Sequence, residues 1–257
     1  MTDITFTMPQ EPERFELHAF ADWHLEDPNC NEKIIREWIE TVRTRDNAYC
    51  ILNGDLLNTA LKTSVSDIYR ERLSPMEAMK YLIALLEPIK SKIIFIDEGN
   101  HEARLSKDTS IHMLEMVARE LQVPFVEEGA VIYIQCGMDE EQRHPERRIG
   151  YVVYVTHGAG GGRTEGGKFN ALAQLASIVD ADIYIHSHVH LPGAFKRKYY
   201  RPNSNTKTTK SVTKLFVSTA SALEYGGYGR KMKYAPSSTD NPVIYLDGRK
   251  RQADALV

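Results

Sequence analysis

Short apolar segments alternate along this chain with longer amphipathic ones. Eight short runs are rich in β-branched and aromatic residues, and between them apolar residues recur every three or four positions. The first pattern is typical of strands and the second of helices, so we predict an α/β protein. We expect strands at 15–20, 48–52, 92–96, 131–136, 151–155, 182–185, 214–218 and 242–246, and helices at 32–43, 65–73, 75–90, 109–121 and 169–179.

The residues that follow these predicted strands are of types that bind metals and transfer protons. In open α/β sheets, ligands bind outside the carboxyl ends of the strands, so we expect these side chains to converge at one edge. They are Asp22 and His24, Asp55, Asn100 and His101, His157, and His188 and His190.

The donor types favour two metal ions over one. On an extended segment, alternate side chains point the same way, so Asp22-x-His24 and His188-x-His190 can each present two donors together. Asp55 and Asn100 add oxygen donors. This number of donors suits two ions that share a carboxylate better than one tetrahedral zinc.

In this order and at these separations, five short motifs resemble those of the calcineurin-like metallophosphoesterases. The motifs are Asp22-x-His24, Gly54-Asp55, Gly99-Asn100-His101-Glu102, His157-Gly158 and His188-x-His190. Arg104 follows the third motif as it does in small uncharacterised phosphoesterases of bacteria and phages. The resemblance implies a four-layer α/β/β/α sandwich.

The resemblance also implies a dinuclear site and a role for each motif residue. One ion would be held by Asp22, His24 and His190, the other by Asn100, His157 and His188, with Asp55 between them. The ions would be divalent, with manganese preferred over iron or zinc for mixed nitrogen and oxygen ligands. They would generate the hydroxide that attacks phosphorus. His101 would protonate the leaving oxygen, and Arg104 would bind substrate.

Two positions depart from the family pattern. Ser187 stands where the family usually has a glycine before the first histidine, which affects the local turn. Leu56-Leu57-Asn58 follows Asp55 without the acidic and arginine residues of the protein serine/threonine phosphatases, so a protein-phosphatase function is disfavoured. His186 shares a predicted strand face with His188 and His190, and we assign it to structure.

Two further segments bear on the substrate. The glycine-dense segment from Gly158 to Gly167 is either a plain loop or a lid whose Arg163 touches substrate. The segment from Lys196 to Lys214 carries seven basic and no acidic residues, with two tyrosines between them. Such a run can bind nucleic acid. It can equally be a solvated hairpin that connects two strands.

Composition limits the remaining classes. With 32 basic and 35 acidic residues, the net charge of −3 excludes a globally basic nucleic-acid binder. Three separated cysteines and the absence of a long apolar run or a signal-peptide pattern predict a cytoplasmic protein without a membrane segment. We expect one domain over residues 1–257, in an oligomeric state that cannot be predicted.

These features together predict a metal-dependent phosphoesterase, preferably a phosphodiesterase acting on nucleotides or nucleic acid. The alternatives are a phosphomonoesterase acting on small molecules or phosphoprotein, and a non-catalytic binding module on the same fold.

Overall fold

Two six-stranded β-sheets form the centre of the protein. The computed structural model describes residues 1–8, 13–62, 68–137, 148–160 and 162–257. The first sheet has the order β12-β11-β2-β3-β4-β5 and the second β1-β6-β7-β8-β10-β9. Their strands are β1 (Thr2–Thr7), β2 (Arg14–Phe20), β3 (Ala48–Asn53), β4 (Ile93–Asp97), β5 (Phe125–Val126), β6 (Ala130–Cys136), β7 (Ile149–Thr156), β8 (Ile183–His186), β9 (Gly193–Asn203), β10 (Thr208–Ser218), β11 (Val243–Asp247) and β12 (Ala253–Leu256).

The α-helices cover the outer faces of the two sheets. They are α1 (Glu32–Thr44), α2 (Pro75–Leu86), α3 (Asn100–Thr109), α4 (Met113–Leu121), α5 (Glu165–Gln174) and the short α6 (Gly227–Lys231). Three 3-10 helices lie at Ile68–Arg70, Glu87–Lys92 and Leu175–Ser177. Within the described residues, no helix is long and apolar enough to cross a membrane.

Three apolar clusters define the layers. The alternation of β2 sends Leu17 into a cluster shared by both sheets, whereas Phe20 joins a cluster under α1, α2 and α4. On the far side, Tyr184 and Phe216 of the second sheet pack with Leu172 of α5. The order is therefore helices, sheet, sheet, helices, and the predicted four-layer α/β/β/α sandwich is confirmed.

Parallel strands at the centre of each sheet direct their carboxyl ends toward one edge of the sandwich. In the first sheet β2, β3 and β4 run parallel, and in the second β7, β8 and β10 do so. Hydrogen bonds join the loops beyond these ends, from the Asp22 amide to the Gly54 carbonyl and from the Ser187 amide to the His157 carbonyl, both at 3.1 Å. This edge holds the polar residues singled out in the sequence.

Several helix boundaries differ from those predicted. Pro88 lacks an amide hydrogen, and the α-helix expected to reach residue 90 becomes a 3-10 helix after Leu86. The helix predicted at 109–121 is divided by Ser110, whose left-handed backbone ends α3. Of the helix predicted at 65–73, residues 65–67 lie outside the described residues and 68–70 form a 3-10 turn.

The structure also describes the basic segment from Lys196 to Lys214 and most of the glycine-dense segment from Gly158 to Gly167. The segment from Lys196 to Lys214 is most of an antiparallel β9–β10 hairpin, which agrees with the hairpin alternative. Asp180 and Asp254 neutralise part of its charge, pairing with Lys214 at 2.6 Å and Lys196 at 3.0 Å. The glycine-dense segment enters α5 at Glu165, because the Thr164 hydroxyl caps the helix by accepting from the Gly167 amide.

Candidate metal centre

Five segments bring donor side chains together at the carboxyl edge of the two sheets. Among the described residues, three overlapping groups have donor atoms within 4.8 Å of one another. They are Asp22, His24 and His190; His24, Asp55 and His101; and Asp55, His157 and His188. All but one of the predicted ligands are in these groups, and the exception, Asn100, adjoins the third.

The backbone at these positions differs from our expectation. We predicted that Asp-x-His and His-x-His would be extended, but the four named residues of these motifs, and Asp55 as well, have left-handed backbones. This conformation is uncommon outside glycine, and where it occurs it clusters at functional sites. The turns, and not strand alternation, therefore aim these side chains inward. The φ angles are 55° at Asp22, 47° at His24, 52° at Asp55, 67° at His188 and 51° at His190.

The glycines of two motifs allow two of the loops to touch. A Cβ atom on Gly54 would lie 2.5 Å from the Gly99 backbone, and a Cβ on Gly99 would lie 2.2 Å from Asp55. No side chain fits at either position. These glycines therefore set the distance between Asp55 and the start of α3.

The first cluster surrounds Asp22, which is fully buried. Its Oδ1 atom lies 3.1 Å from His190 Nε2 and 4.0 Å from His24 Nε2. Its other oxygen accepts a hydrogen bond from the His188 amide at 3.1 Å. The carboxylate therefore presents one oxygen to the two imidazoles and uses the other to hold the loop after β8.

The second cluster surrounds Asp55. Its Oδ2 atom lies 3.2 Å from His157 Nε2, and that nitrogen is also 3.2 Å from the Asn100 side-chain oxygen. The rings of His157 and His188 have centroids 5.4 Å apart. His157 Nδ1 donates to the Asn53 carbonyl at 2.7 Å, which leaves Nε2 facing the cluster.

His101 lies between the two clusters. Its Nε2 atom is 3.8 Å from Asp55 Oδ2, and its ring centroid is 4.4 Å from that of His24. Its amide donates to Asp55 Oδ1 at 2.8 Å. The His101 side chain is therefore close to both Asp55 and His24.

The charges of Asp55 and His157 depend on each other. Burial opposes the charged form of Asp55, yet His157 and His101 hold its pKa well below the usual range. Burial also opposes a charge on His157, but Asp55 and Asp22 raise its pKa to about 10. A protonated imidazole thus balances the buried carboxylate, and a divalent ion would displace that proton on binding.

Buried polar atoms without partners test whether a metal fits. Both ring nitrogens of His24 are shielded from water and make no hydrogen bond, and Asp22 Oδ1 is shielded with only its 3.1 Å ion-pair contact to His190. Such atoms cost free energy unless something satisfies them. Burial also holds the pKa of His24 well below its usual value, so the ring is in the neutral form that ligates metals. The donor set fits divalent ions.

Glu102 holds the ligand loops from behind. Its Oε2 atom accepts from the amides of Asp55 and Gly99, both at 3.0 Å, and its Oε1 accepts from the Leu57 amide at 2.8 Å. Burial and the nearby charge of Asp55 raise the pKa of Glu102 to about 8. The last residue of the Gly-Asn-His-Glu motif therefore fixes the Asp55 loop and the first turn of α3.

The Ser187 hydroxyl, which a glycine would lack, is part of a buried hydrogen-bond network. The Ser187 hydroxyl accepts from Asn53 Nδ2 at 2.7 Å and from the Thr219 hydroxyl at 2.9 Å, and all three residues are buried. Asn53 Nδ2 also donates to the Thr156 carbonyl at 3.0 Å. The network ties together the loops after β3, β7, β8 and β10.

Replacing Ser187 by alanine should lower the free energy of unfolding by about 1–3 kcal/mol, because two buried donors lose their acceptor. Urea unfolding of the metal-free protein measures this. Ser177→Ala is the matched control, since that exposed hydroxyl makes one hydrogen bond, at 2.6 Å. Equal losses in the two variants would contradict the role given to the Ser187 network.

Three other residues singled out in the sequence, His186, Arg104 and Arg163, are not members of the three donor groups. His186 is buried against Gly158, where a Cβ atom would lie 2.2 Å from its Nε2. Arg104 lies one turn after Asn100 on α3, and its Nε atom is buried without a hydrogen-bond partner. Arg163 is exposed, with its guanidinium 6.0 Å from the Tyr234 ring centroid.

The sequence alone indicated no role for three supporting residues, Glu102, Asn53 and Asn58. Asn58 accepts from His101 Nδ1 through its side-chain oxygen at 2.9 Å. The sequence shows that Asn58 follows Asp55 by three residues, but its contact with His101 depends on how the loop folds.

The similarity of the chain to known proteins is low. No protein-family model matches the chain, and no curated protein does so. Among solved structures, a predicted phosphoesterase from Streptococcus pneumoniae has 15% identity and a TM-score of 0.40, over 95% of this chain and 89% of its own. Vacuolar protein sorting 29 from Cryptosporidium parvum has 13% identity and a TM-score of 0.43, over 95% and 97%. A Vps29 variant from Entamoeba histolytica has 13% identity and a TM-score of 0.42, over 94% and 98%.

In its two-sheet architecture and its five ordered motifs, the chain is similar to the calcineurin-like metallophosphoesterases.

Proposed function

We propose that this protein is a phosphoesterase that holds two divalent metal ions at the carboxyl edge of its sheets. The observation that carries the proposal is the pair of histidine clusters around Asp22 and Asp55, with unsatisfied buried donor atoms in the first. Two divalent ions there would supply positive charge for a phosphate group and a nucleophile at neutral pH.

The residues divide into holding and reacting groups. Asp22, His24 and His190 would hold one ion, and Asn100, His157 and His188 the other, with Asp55 between them. His101 would act in its doubly protonated form, giving the Nε2 proton to the leaving oxygen while Nδ1–H stays bonded to Asn58; its Nε2 faces the cluster.

Arg104 and Arg163 are assigned to substrate. The buried, unpartnered Nε of Arg104 suits an anion, and a planar guanidinium binds phosphate oxygens in pairs. Arg163 lies six residues after His157 on the same loop, where an exposed guanidinium can reach a bound ester.

Elemental analysis and a substrate panel test the proposal together. After chelation and dialysis against Mn²⁺, Fe²⁺ or Zn²⁺, we expect two ions per chain and hydrolysis of phosphate esters, with manganese the most effective ion. One ion or none per chain would overturn the dinuclear site. Two ions without hydrolysis of any ester would favour the binding-module alternative.

Within this class, we propose a phosphodiesterase that acts on nucleotides or nucleic acid in the cytoplasm, in preference to a phosphomonoesterase. Its support is the β9–β10 hairpin, on which Arg197, Lys198 and Lys210 are exposed and make no ion pair within the described residues. Tyr200 is 74% exposed on the same hairpin and can stack on a base.

Replacing Arg197, Lys198 and Lys210 by alanine should flatten the salt dependence of single-strand binding by about two units, at roughly 0.7 per phosphate contact. Activity on bis-nitrophenyl phosphate should be unchanged, because that ester reaches only the metal centre. Fluorescence anisotropy across a salt series measures the slope.

The matched control replaces Lys33, Lys80 and Lys90 on the helical side of the first sheet, and its slope should stay at the wild-type value. A hairpin variant whose slope also stays there would leave the hairpin as a solvated element and favour small phosphoesters.

A further inference from the structure

The His101 ring is held from behind by one residue. Its Nδ1 atom lies 2.9 Å from the side-chain oxygen of Asn58 and 3.1 Å from the Asn58 carbonyl oxygen. The backbone carbonyl oxygen is always an acceptor, and the side-chain oxygen is one when the amide is in this orientation, so Nδ1 carries the hydrogen and donates. Nε2 is then the atom that faces Asp55, at 3.8 Å.

The orientation of the Asn58 amide is set in turn by Glu71. Asn58 Nδ2 donates to Glu71 Oε1 at 2.6 Å. Burial raises the pKa of Glu71 to about 7. Above that pH the carboxylate is ionised and can only accept hydrogen bonds, so the amide turns its NH₂ group to Glu71 and its oxygen to His101. A rotated amide would place two donors against Nδ1–H and leave the carboxylate facing an oxygen.

Both members of this chain of hydrogen bonds are fixed in place. Asn58 is 2% exposed, and its backbone amide donates to Glu26 Oε2 at 2.6 Å. Beside Glu71, the Arg72 amide donates to the Glu26 carbonyl at 2.8 Å. The Arg72 guanidinium donates to the Leu25 carbonyl at 3.1 Å. Glu71 is thereby anchored to the loop that also carries His24.

We propose that Glu71 is a positioning residue that acts through Asn58 to hold His101 with its hydrogen on Nδ1 and its Nε2 toward the metal centre. Glu71 belongs to none of the three donor groups, and it reaches His101 only through Asn58. Its effect on turnover rests on the proposed function, but its effect on the His101 ring does not.

The first test uses nitrogen-15 NMR of the histidine rings in the metal-free protein. We expect the Nδ1–H tautomer with a slowly exchanging proton in the wild type and in Glu71→Gln, which keeps an acceptor oxygen. Glu71→Ala and Asn58→Leu keep the Asn58 backbone carbonyl as an acceptor for Nδ1–H, so the tautomer should persist, but the ring loses its fixed second acceptor and the Nδ1 proton should exchange faster. An Nδ1 proton exchange rate in Glu71→Ala equal to that of the wild type overturns the proposal.

The second test is a double-mutant cycle on turnover of an alkyl phosphate ester, whose leaving group needs a proton. Glu71→Ala should lower kcat about tenfold in the wild-type background and leave it unchanged beside Asn58→Leu, since residues in one hydrogen-bond network are not additive. Loss on a nitrophenyl ester should be smaller, KM and metal content should stay constant, and Glu71→Gln should recover most of the turnover.

Glu77→Ala is the matched control. Glu77 caps α2 by accepting from Ser74, so its loss weakens the fold near Glu71 without touching Asn58. It should affect alkyl and nitrophenyl esters alike. Equal loss on both esters in Glu71→Ala, or full additivity in the cycle, overturns the proposal. A wild type that hydrolyses no ester rejects the proposed function alone, because the NMR result still decides the role of Glu71.

Discussion

Asp55→Asn should reduce hydrolysis by about 100-fold to 1000-fold or more, the scale for losing one preorganised charge contact at a reacting group. Asp55 has this effect because it belongs to two of the three donor groups and no other carboxylate does. Asparagine has nearly the same shape and can still accept from the His101 amide, so the loop should keep its position. Metal content should fall below two ions per chain.

Asp182→Asn is the control for this change. Asp182 precedes β8 at the opposite end of the strand, where it accepts from the Val152 amide at 2.9 Å and pairs with Arg251. Its substitution should alter stability but neither metal content nor turnover. If Asp55→Asn retained two ions and wild-type turnover, the shared carboxylate would be ruled out.

His101→Ala should lower turnover about 100-fold or more while metal content stays the same, since losing a general acid has this magnitude. His101 makes no contact that the predicted ligands need, apart from its amide, which alanine retains. The loss should be smaller for nitrophenyl esters, whose leaving group departs without a proton. Kinetics on a series of leaving groups and elemental analysis check both statements.

His112→Ala provides the comparison. His112 is partly exposed and pairs with Glu98 at 3.1 Å, away from the donor groups. It should leave both ester classes unaffected. Loss of metal in His101→Ala would identify His101 as a ligand, consistent with its place in the group with His24 and Asp55.

The interior of the fold could be predicted because buried strands carry a strong local signal. Ile93 to Ile96 is buried on both faces and reads as a continuous apolar run, so β4 was expected almost to the residue. The edge strands could not be found in this way. β9 is largely exposed, its residues are charged, and only pairing with β10 makes it a strand.

The candidate site was predictable in its residues but not in its geometry. The order of the five motifs identified donors that the fold brings together, because strand ends at one edge meet whatever their separation in sequence. The left-handed turns at Asp22 and His188 leave no reliable local signal in the sequence. The long-range partners of His101 depend on how two loops pack, which no window of residues contains.

The left-handed backbones of the candidate ligands set stability against the proposed metal binding. Each non-glycine residue held in that conformation costs roughly 1 kcal/mol or more, and five of the donors are held so. Glycine at any one of these positions would relax the backbone while removing a donor. A library selected only for heat resistance in a metal-free medium should therefore lose this centre early, whereas the same selection with metal present should preserve it.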